Sequence, residues 1–279
     1  MKLCRVGARG AEKPAMLDAQ GGLRDLSAVV ADIDGSALAR LDDLKAIDPA
    51  TLPLIAGPQR YGAAVAGVSK FICIGLNYSE HAAEAGLAPP SEPIIFLKAP
   101  SAICGPDDDT MVPLNSSKLD WEIELGVVIG AMGRNVSEAD ALDIVAGYCV
   151  VNDVSERAFQ MQSTQWDKGK GCDSFGPTGP WLVTRDEVPD PQALAMKLTV
   201  NGQVMQDGHT GTMIFGVRQL VSYVSRYMTL MPGDIIATGT PAGVGMGKKP
   251  EPVWLKPGDV VELEIAGLGR QRQKVVPYA

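Results

Sequence analysis

Histidine is nearly absent from this chain, with only His81 and His209 among 279 residues. That excludes a metal centre built from several imidazoles. Cysteine is sparse and scattered. Cys4, Cys73, Cys104, Cys149 and Cys172 are odd in number and contain no C-x-x-C pair, so neither a disulfide framework nor a thiolate zinc site is expected. Cys73 and Cys149 lie in apolar, strand-like runs, where a reduced and buried thiol is the common state. Basic residues are outnumbered, 25 to 33, and a net charge of −8 leaves no basic stripe for phosphates, which excludes nucleic acid as a partner. No apolar run approaches the ~20 residues that cross a bilayer, so no membrane association is expected. The start, Met1 to Gly7, lacks the apolar core of a signal peptide, and the cytoplasm is the expected compartment. Any bound metal would be held by oxygens, which favours Mg²⁺ or Mn²⁺.

What is present is a strand-rich chain long enough to bury a full core. Residues 1–66 read as a small N-terminal domain, with a polar helix pattern around Ala28–Leu44 and proline-bounded loops near Pro49 and Pro53. From 67 to 279 short strands dominate: Val68–Gly75, Pro93–Lys98, Asp120–Ile129, Gly147–Asn152, Pro180–Thr184, Met196–Val200, Asp234–Thr238 and Asp259–Ile265. Asn201-Gly202 between two such runs signals a two-residue hairpin. Pro232-Gly233-Asp234 and Pro257-Gly258-Asp259 are turns that each launch a strand. Helices are expected only at Asn77–Ala85, Ser137–Ala146, Ser155–Ser163 and Gly216–Tyr227. The pattern predicts an α+β, β-rich fold, a mixed β-sheet roll or barrel rather than a βαβ fold.

Five segments carry candidate chemistry. In Asp120-Trp121-Glu122-Ile123-Glu124-Leu125 the acids alternate with apolar residues, so Asp120, Glu122 and Glu124 share one strand face. That face is either solvated or the floor of a cation site. Asn77 can cap a short helix, with Glu80 as reciprocal partner and Gly86 closing it. On that helix His81 and Glu84, at i and i+3, share a face as a possible base pair or as a solvated pair. A helix this short needs packing or a ligand to persist, which suits a lid. Asp153 ends an apolar strand and is either a helix N-cap or a carboxylate ligand, with Arg157 and Gln160 following on one helical face. The glycine- and proline-rich stretch from Lys168 to Trp181 reads as a loop whose lysines could be solvated or could stabilise an oxyanion. Thr238-Gly239-Thr240-Pro241-Ala242-Gly243-Val244-Gly245 could form a backbone nest for a carboxylate. It makes neither a phosphate loop nor a dinucleotide fingerprint. His209 reads as a loop histidine.

Taken in order, N-Y-x-x-H-x-x-E, I-F-L-K-A-P-S, D-W-E-I-E-L-G-V-V-I-G, N-D-V-S-E-R, K-G-C-D-S-F-G-P-T-G-P-W and T-G-T-P-A-G-V-G make residues 68–279 resemble the fumarylacetoacetate hydrolase family. The resemblance implies a mixed β-roll with a small N-terminal domain. It implies Glu122, Glu124 and Asp153 as ligands of Mg²⁺ or Mn²⁺, and leaves Asp120 a supporting role. It implies His81 and Glu84 as the water-activating pair on a lid, and Arg157, Gln160, Lys170 and Thr240 as substrate-contacting residues. Lys170 is taken over Lys168 because it stands in register with the following Asp-Ser-Phe-Gly-Pro, and its implied role is to stabilise an enolate. The N-terminal part is shorter than that of the family's namesake, so smaller 2-oxo acids are the implied substrates. The activity expected is metal-dependent hydrolysis of the C3–C4 bond of a 2,4-dioxo acid, an acylpyruvate or a 2,4-diketo-3-deoxy sugar acid, to pyruvate and a carboxylic acid. Oxaloacetate decarboxylase, 2-oxo-dienoate hydratase or isomerase, ureidoglycolate lyase and a catalytically silent oxo-acid-binding protein are the alternatives. The family also implies a homodimer.

Overall fold

The apolar runs near residues 71, 125 and 149 become the centre of one large sheet in the computed structural model of the protein, which describes residues 1–278. Its nine main strands are β1 (Lys2–Val6), β2 (Lys13–Leu17), β3 (Leu23–Asp25), β4 (Phe71–Gly75), β5 (Ile94–Lys98), β6 (Ile123–Ile129), β7 (Val145–Asn152), β8 (Gly176–Thr184) and β9 (Ile235–Ala237). They lie in the order β3-β2-β1-β8-β7-β6-β9-β4-β5, and Ile103–Cys104 adds a tenth strand beside β8. β9 pairs with β4 in parallel and with β6 antiparallel, so the sheet is mixed. A second sheet holds five strands in the order Gln203–His209, Ala195–Val200, Val260–Ile265, Gly269–Val276 and Thr110–Met111. The fold is α+β and strand-rich, as expected. Among the described residues no helix is long and apolar enough to cross a membrane.

Strand alternation gives the large sheet two apolar faces. Ile72, Ile74, Ile123, Leu125, Val127 and Val150 pack toward Met196, Leu198, Leu263 and Ile265 of the second sheet. Phe71, Cys73, Val128, Cys149 and Val151 pack on the other face against Leu3, Met16, Leu26 and Ile33 from the N-terminal segment. β1 pairs with β8, so residues 1–66 extend the same sheet that carries the rest of the chain. The hairpin at Asn201-Gly202 forms, with both residues at positive φ (51° and 79°), the geometry that a twisted two-residue turn requires.

Several helices are shorter than their patterns suggest. The Ala28–Leu44 stretch yields only α1 (Gly35–Leu38) and α2 (Leu41–Lys45). Asp34 starts α1 by accepting the Ser36 and Ala37 N–H groups, so the polar residues before it are used in turns. Ser137–Ala146 is not a helix. Ser137 Oγ accepts the Asp140 N–H and donates to its carboxylate, only a single 3-10 turn follows at Ala141–Ile144, and Val145 already belongs to β7. The helix at residue 217 does form, as α6 (Val217–Tyr227). α3 (Ser79–Glu84), α4 (Arg157–Gln160) and α5 (Asp167–Lys170) are short and stand around one end of β4 and β6.

Candidate active site

The acidic alternation of residues 120–124 is not one continuous strand. Leu119–Asp120 pairs with Ser155–Glu156, Trp121 and Glu122 leave the ladder, and β6 begins at Ile123. Glu124 still projects from the face that carries Val128 deeper in the sheet. Its neighbour across the ladder is Val151 of β7, and two residues on stands Asp153. This register brings carboxylate oxygens of Glu122, Glu124 and Asp153 within 4.8 Å of one another, all buried. The solvated-face reading of the acidic strand is therefore overturned.

Three cations border the cluster. Lys170 Nζ donates to Glu122 Oε2 at 2.6 Å and to Asp153 Oδ2 at 2.7 Å. Arg157 Nη2 donates to Glu122 Oε1 at 2.5 Å, and Lys98 Nζ to Asp153 Oδ1 at 2.5 Å. Among the described residues Glu124 has no such partner and accepts only the Gly239 N–H at 2.9 Å. Burial, with Asp153 and Glu122 beside it, pushes the Glu124 carboxyl well above the ordinary value. Burial acts the same way on Glu122, but Lys170, Arg157 and His81 outweigh it and hold its carboxyl low. With Asp120, the cluster sets four carboxylates against three cations. An all-oxygen donor set of three carboxyl groups fits a hard divalent cation, whose charge would favour the ionised form of Glu124. Each carboxylate offers about four lone-pair sites, so those already bonded to lysine or arginine can still act as ligands.

Asp120 lies behind the cluster. It accepts Arg157 Nε at 2.9 Å and the N–H groups of Trp121, Gly245 and Met246. That fixes Arg157 against Glu122. Asp153 neither caps the following helix nor pairs with Arg157. Glu156 accepts the Ala158 N–H, so α4 spans only four residues where Ser155–Ser163 was expected. Arg157 and Gln160 share its face, with Nη1 donating to Gln160 Oε1 at 3.0 Å. The Lys168–Trp181 stretch is not all loop. Lys170 ends α5, and β8 starts at Gly176 despite its glycines and prolines.

His81 is buried on α3, and its Nδ1 stands 3.4 Å from Glu84 Oε2, which leaves Nε2 for the cavity. The helix is not capped by Asn77. The Asn77 amide instead donates to Phe215 O and Thr238 O and accepts the Phe215 N–H, fastening the end of β4 to two other segments. Burial opposes the Glu84 charge, but the His81 contact, the Gly243 N–H and nearby Lys248 prevail and hold its carboxyl below the ordinary value. Gly247 makes room for it, since a Cβ there would lie 2.1 Å from the Glu84 carboxyl carbon.

The glycine-rich segment after β9 does form a nest for carboxylates, but the carboxylates at Gly239, Gly243 and Gly245 are the protein's own: Glu124, Glu84 and Asp120. The Thr240 hydroxyl is likewise used internally, donating to Ile123 O and accepting Gln206 Nε2, both at 2.8 Å. His209 is exposed at the end of a strand and accepts the Gly211 N–H, away from the cluster.

All nine candidate residues except Glu84 line one cavity of about 280 Å³, and Glu84 stands behind His81. Two further residues belong to the site, Lys98 outside the cavity lining and Trp166 within it. Lys98 is buried against Asp153, and Trp166 closes the outer wall. Lys98 stood in the I-F-L-K-A-P-S segment, where alternation gave no sign that the lysine and not Leu97 is the buried residue. Nothing local marked Trp166.

A strand-rich α+β fold with buried carboxylates and a histidine backed by its own carboxylate at one cavity defines an enzyme-type site. The C-terminal fumarylacetoacetate hydrolase family model matches residues 70–276, and the chain belongs to that family. Its members are enzymes. A protein of Burkholderia cenocepacia provisionally named a hydrolase is 61% identical over 98% of both chains. A crystal structure of 2-hydroxyhepta-2,4-diene-1,7-dioate isomerase from Mycobacterium marinum is 34% identical, with a TM-score of 0.76 over 99% of this chain and 98% of that one. Maleylpyruvate hydrolase from Sphingobium sp. SYK-6 is 28% identical, with a TM-score of 0.83 over 99% of this chain and all of that one.

Proposed function

We propose that the protein is a divalent-metal-dependent hydrolase that cleaves the C3–C4 bond of a 2,4-dioxo acid. The observation that carries this reading is His81, backed by Glu84, in the same cavity as the Glu122, Glu124 and Asp153 cluster. Those three carboxylates would hold Mg²⁺ or Mn²⁺, which when bound supplies Lewis-acid polarisation of the substrate's 2-oxo group.

The rest of the chemistry belongs to the chain. His81, with Glu84 fixing its Nδ1 side, takes a proton from water at Nε2. The resulting hydroxide adds to the C4 carbonyl. Collapse of that adduct breaks C3–C4, and the electron pair leaves on C3 as the enolate of pyruvate. Lys170 Nζ stabilises the enolate oxygen, and Arg157 holds Glu122 in place. The proton that His81 took from water is delivered to C3, which completes pyruvate and restores the base, and the acyl group departs as a carboxylic acid. α3, carrying the base at the cavity rim, would act as the lid.

The isomerase reading has its own support in the Mycobacterium marinum structure. Isomerisation moves a proton and adds no water, so a dedicated water-activating pair favours hydrolysis. The test is a screen of acylpyruvates, 2-hydroxydienoates and oxaloacetate with Mg²⁺, reading pyruvate, carboxylic acid and CO₂. Release of pyruvate and acid in equal amounts supports the hydrolase. Isomerised product or CO₂ without acid rejects it. A homodimer is part of the proposal and is checked by sedimentation.

A further inference from the structure

The cavity has two chemically distinct halves. Its floor is ionic, built on Glu122, Glu124, Asp153, Arg157 and Lys170. Its outer wall is carbon: Leu76, Leu87, Phe96, Met161, Trp166 and Met246 line it. Leu87 and Met161 form an apolar rim, 53% and 71% exposed. This wall is built into the fold. Phe96 and Trp166 pack edge to face with centroids 5.4 Å apart. Gly75 leaves room for the indole, because a Cβ there would lie 2.5 Å from the Trp166 ring. The halves meet at Phe96, whose ring centroid is 5.3 Å from Lys170 Nζ.

The cations that line the cavity are committed to the floor. Arg157 bonds Asp120, Glu122 and Gln160, and Lys170 bonds Glu122 and Asp153. A second carboxylate placed against the outer wall would lose water and gain no counter-charge. Sugar hydroxyls there would lose hydrogen bonds to water with few replacements. An alkyl or aryl group would instead bury apolar surface against apolar surface.

We propose that the site selects a 2-oxo acid with an apolar far end, an aliphatic or aromatic acyl chain, over dicarboxylates and polyhydroxylated sugar acids. The inference rests on the hydrolase reading for the reacting end and adds the identity of the tail. It separates this chain's preference from the diacids that the two named structural relatives carry in their names.

Two assays test it. With Mg²⁺-loaded protein, kcat/KM for hexanoylpyruvate is expected to exceed that for succinylpyruvate by about tenfold or more. Calorimetry with 2-oxooctanoate and 2-oxoadipate, which have no bond to hydrolyse, is expected to show about the same ratio in Kd. Leu87→Arg, at an exposed rim position, is expected to lower both ratios by supplying a cation. Equal or reversed ratios in the native protein overturn the proposal. If no dioxo acid is cleaved but the calorimetric ratio holds, the hydrolase reading falls and the apolar tail site stands.

Discussion

Lys98 Nζ donates to Asp153 Oδ1 at 2.5 Å, and neither side chain is exposed. A second Nζ proton goes to Val154 O at 2.9 Å. Removing one partner of a buried ion pair strands the other charge. Lys98→Met is expected to destabilise the metal-free protein by about 3–5 kcal/mol in urea unfolding. A loss under about 1 kcal/mol would mean that Lys170 alone satisfies Asp153.

Glu124 makes the opposite prediction for stability. It is the cluster carboxylate without a cation partner, and Glu122 and Asp153 repel it. Glu124→Gln removes that repulsion while keeping the shape. The metal-free variant is expected to melt at or above the wild-type temperature, yet to bind Mn²⁺ at least about tenfold more weakly, since one anionic ligand is gone. Calorimetry and thermal melts on chelator-treated protein check both halves. Wild-type Mn²⁺ affinity in the variant would remove Glu124 from the ligand set.

Gly247→Ala tests the seating of Glu84. The added methyl meets the Glu84 carboxyl group, so Glu84 must swing away from His81. Small misplacements of this kind can cost about a hundredfold in rate. Pyruvate release should fall on that scale with Mn²⁺ affinity retained. Undiminished turnover would show that Glu84 does not orient His81.

Acid stability should depend on Arg60. It donates to Asp108 at 2.6 and 2.7 Å and to Glu12 at 2.9 Å. Burial opposes both charges, but the arginine and neighbouring N–H groups hold both carboxyls below their ordinary values. A lowered folded-state value gives stability that is present above about pH 4, the unfolded range, and is lost as pH falls through the folded values. Arg60→Met should therefore flatten the decline of Tm between about pH 4 and pH 2, with a smaller difference from wild type at the acid end. An unchanged slope would place the acid sensitivity elsewhere.

The sequence made the site more legible than the helices. The order of motifs, through the family resemblance, named eight cavity residues and the Glu84 behind them, whereas acid alternation at 120–124 alone did not separate Glu122 and Glu124 from Asp120, which sits on a different short strand. Lys98 went without a role because a lysine on an amphipathic edge strand looks solvated until the packing around Asp153 is seen. The helix lengths failed for a local reason. Ser137, Glu156 and Asp34 use their side chains on nearby backbone N–H groups, and such bonds make turns as readily as they start helices. Asn77 failed as a cap because its amide serves Phe215 and Thr238, more than 130 residues away, and no local pattern carries such a partner.

The most direct test is His81→Ala, with Mn²⁺ affinity and pyruvate release from one acylpyruvate measured on the same preparation. His81 faces the cluster but is no part of its three-carboxylate set. The account predicts wild-type metal affinity and a loss of hydrolysis of at least about a hundredfold. Retained hydrolysis would contradict His81 as the base, and loss of the metal would show that it serves the cation instead.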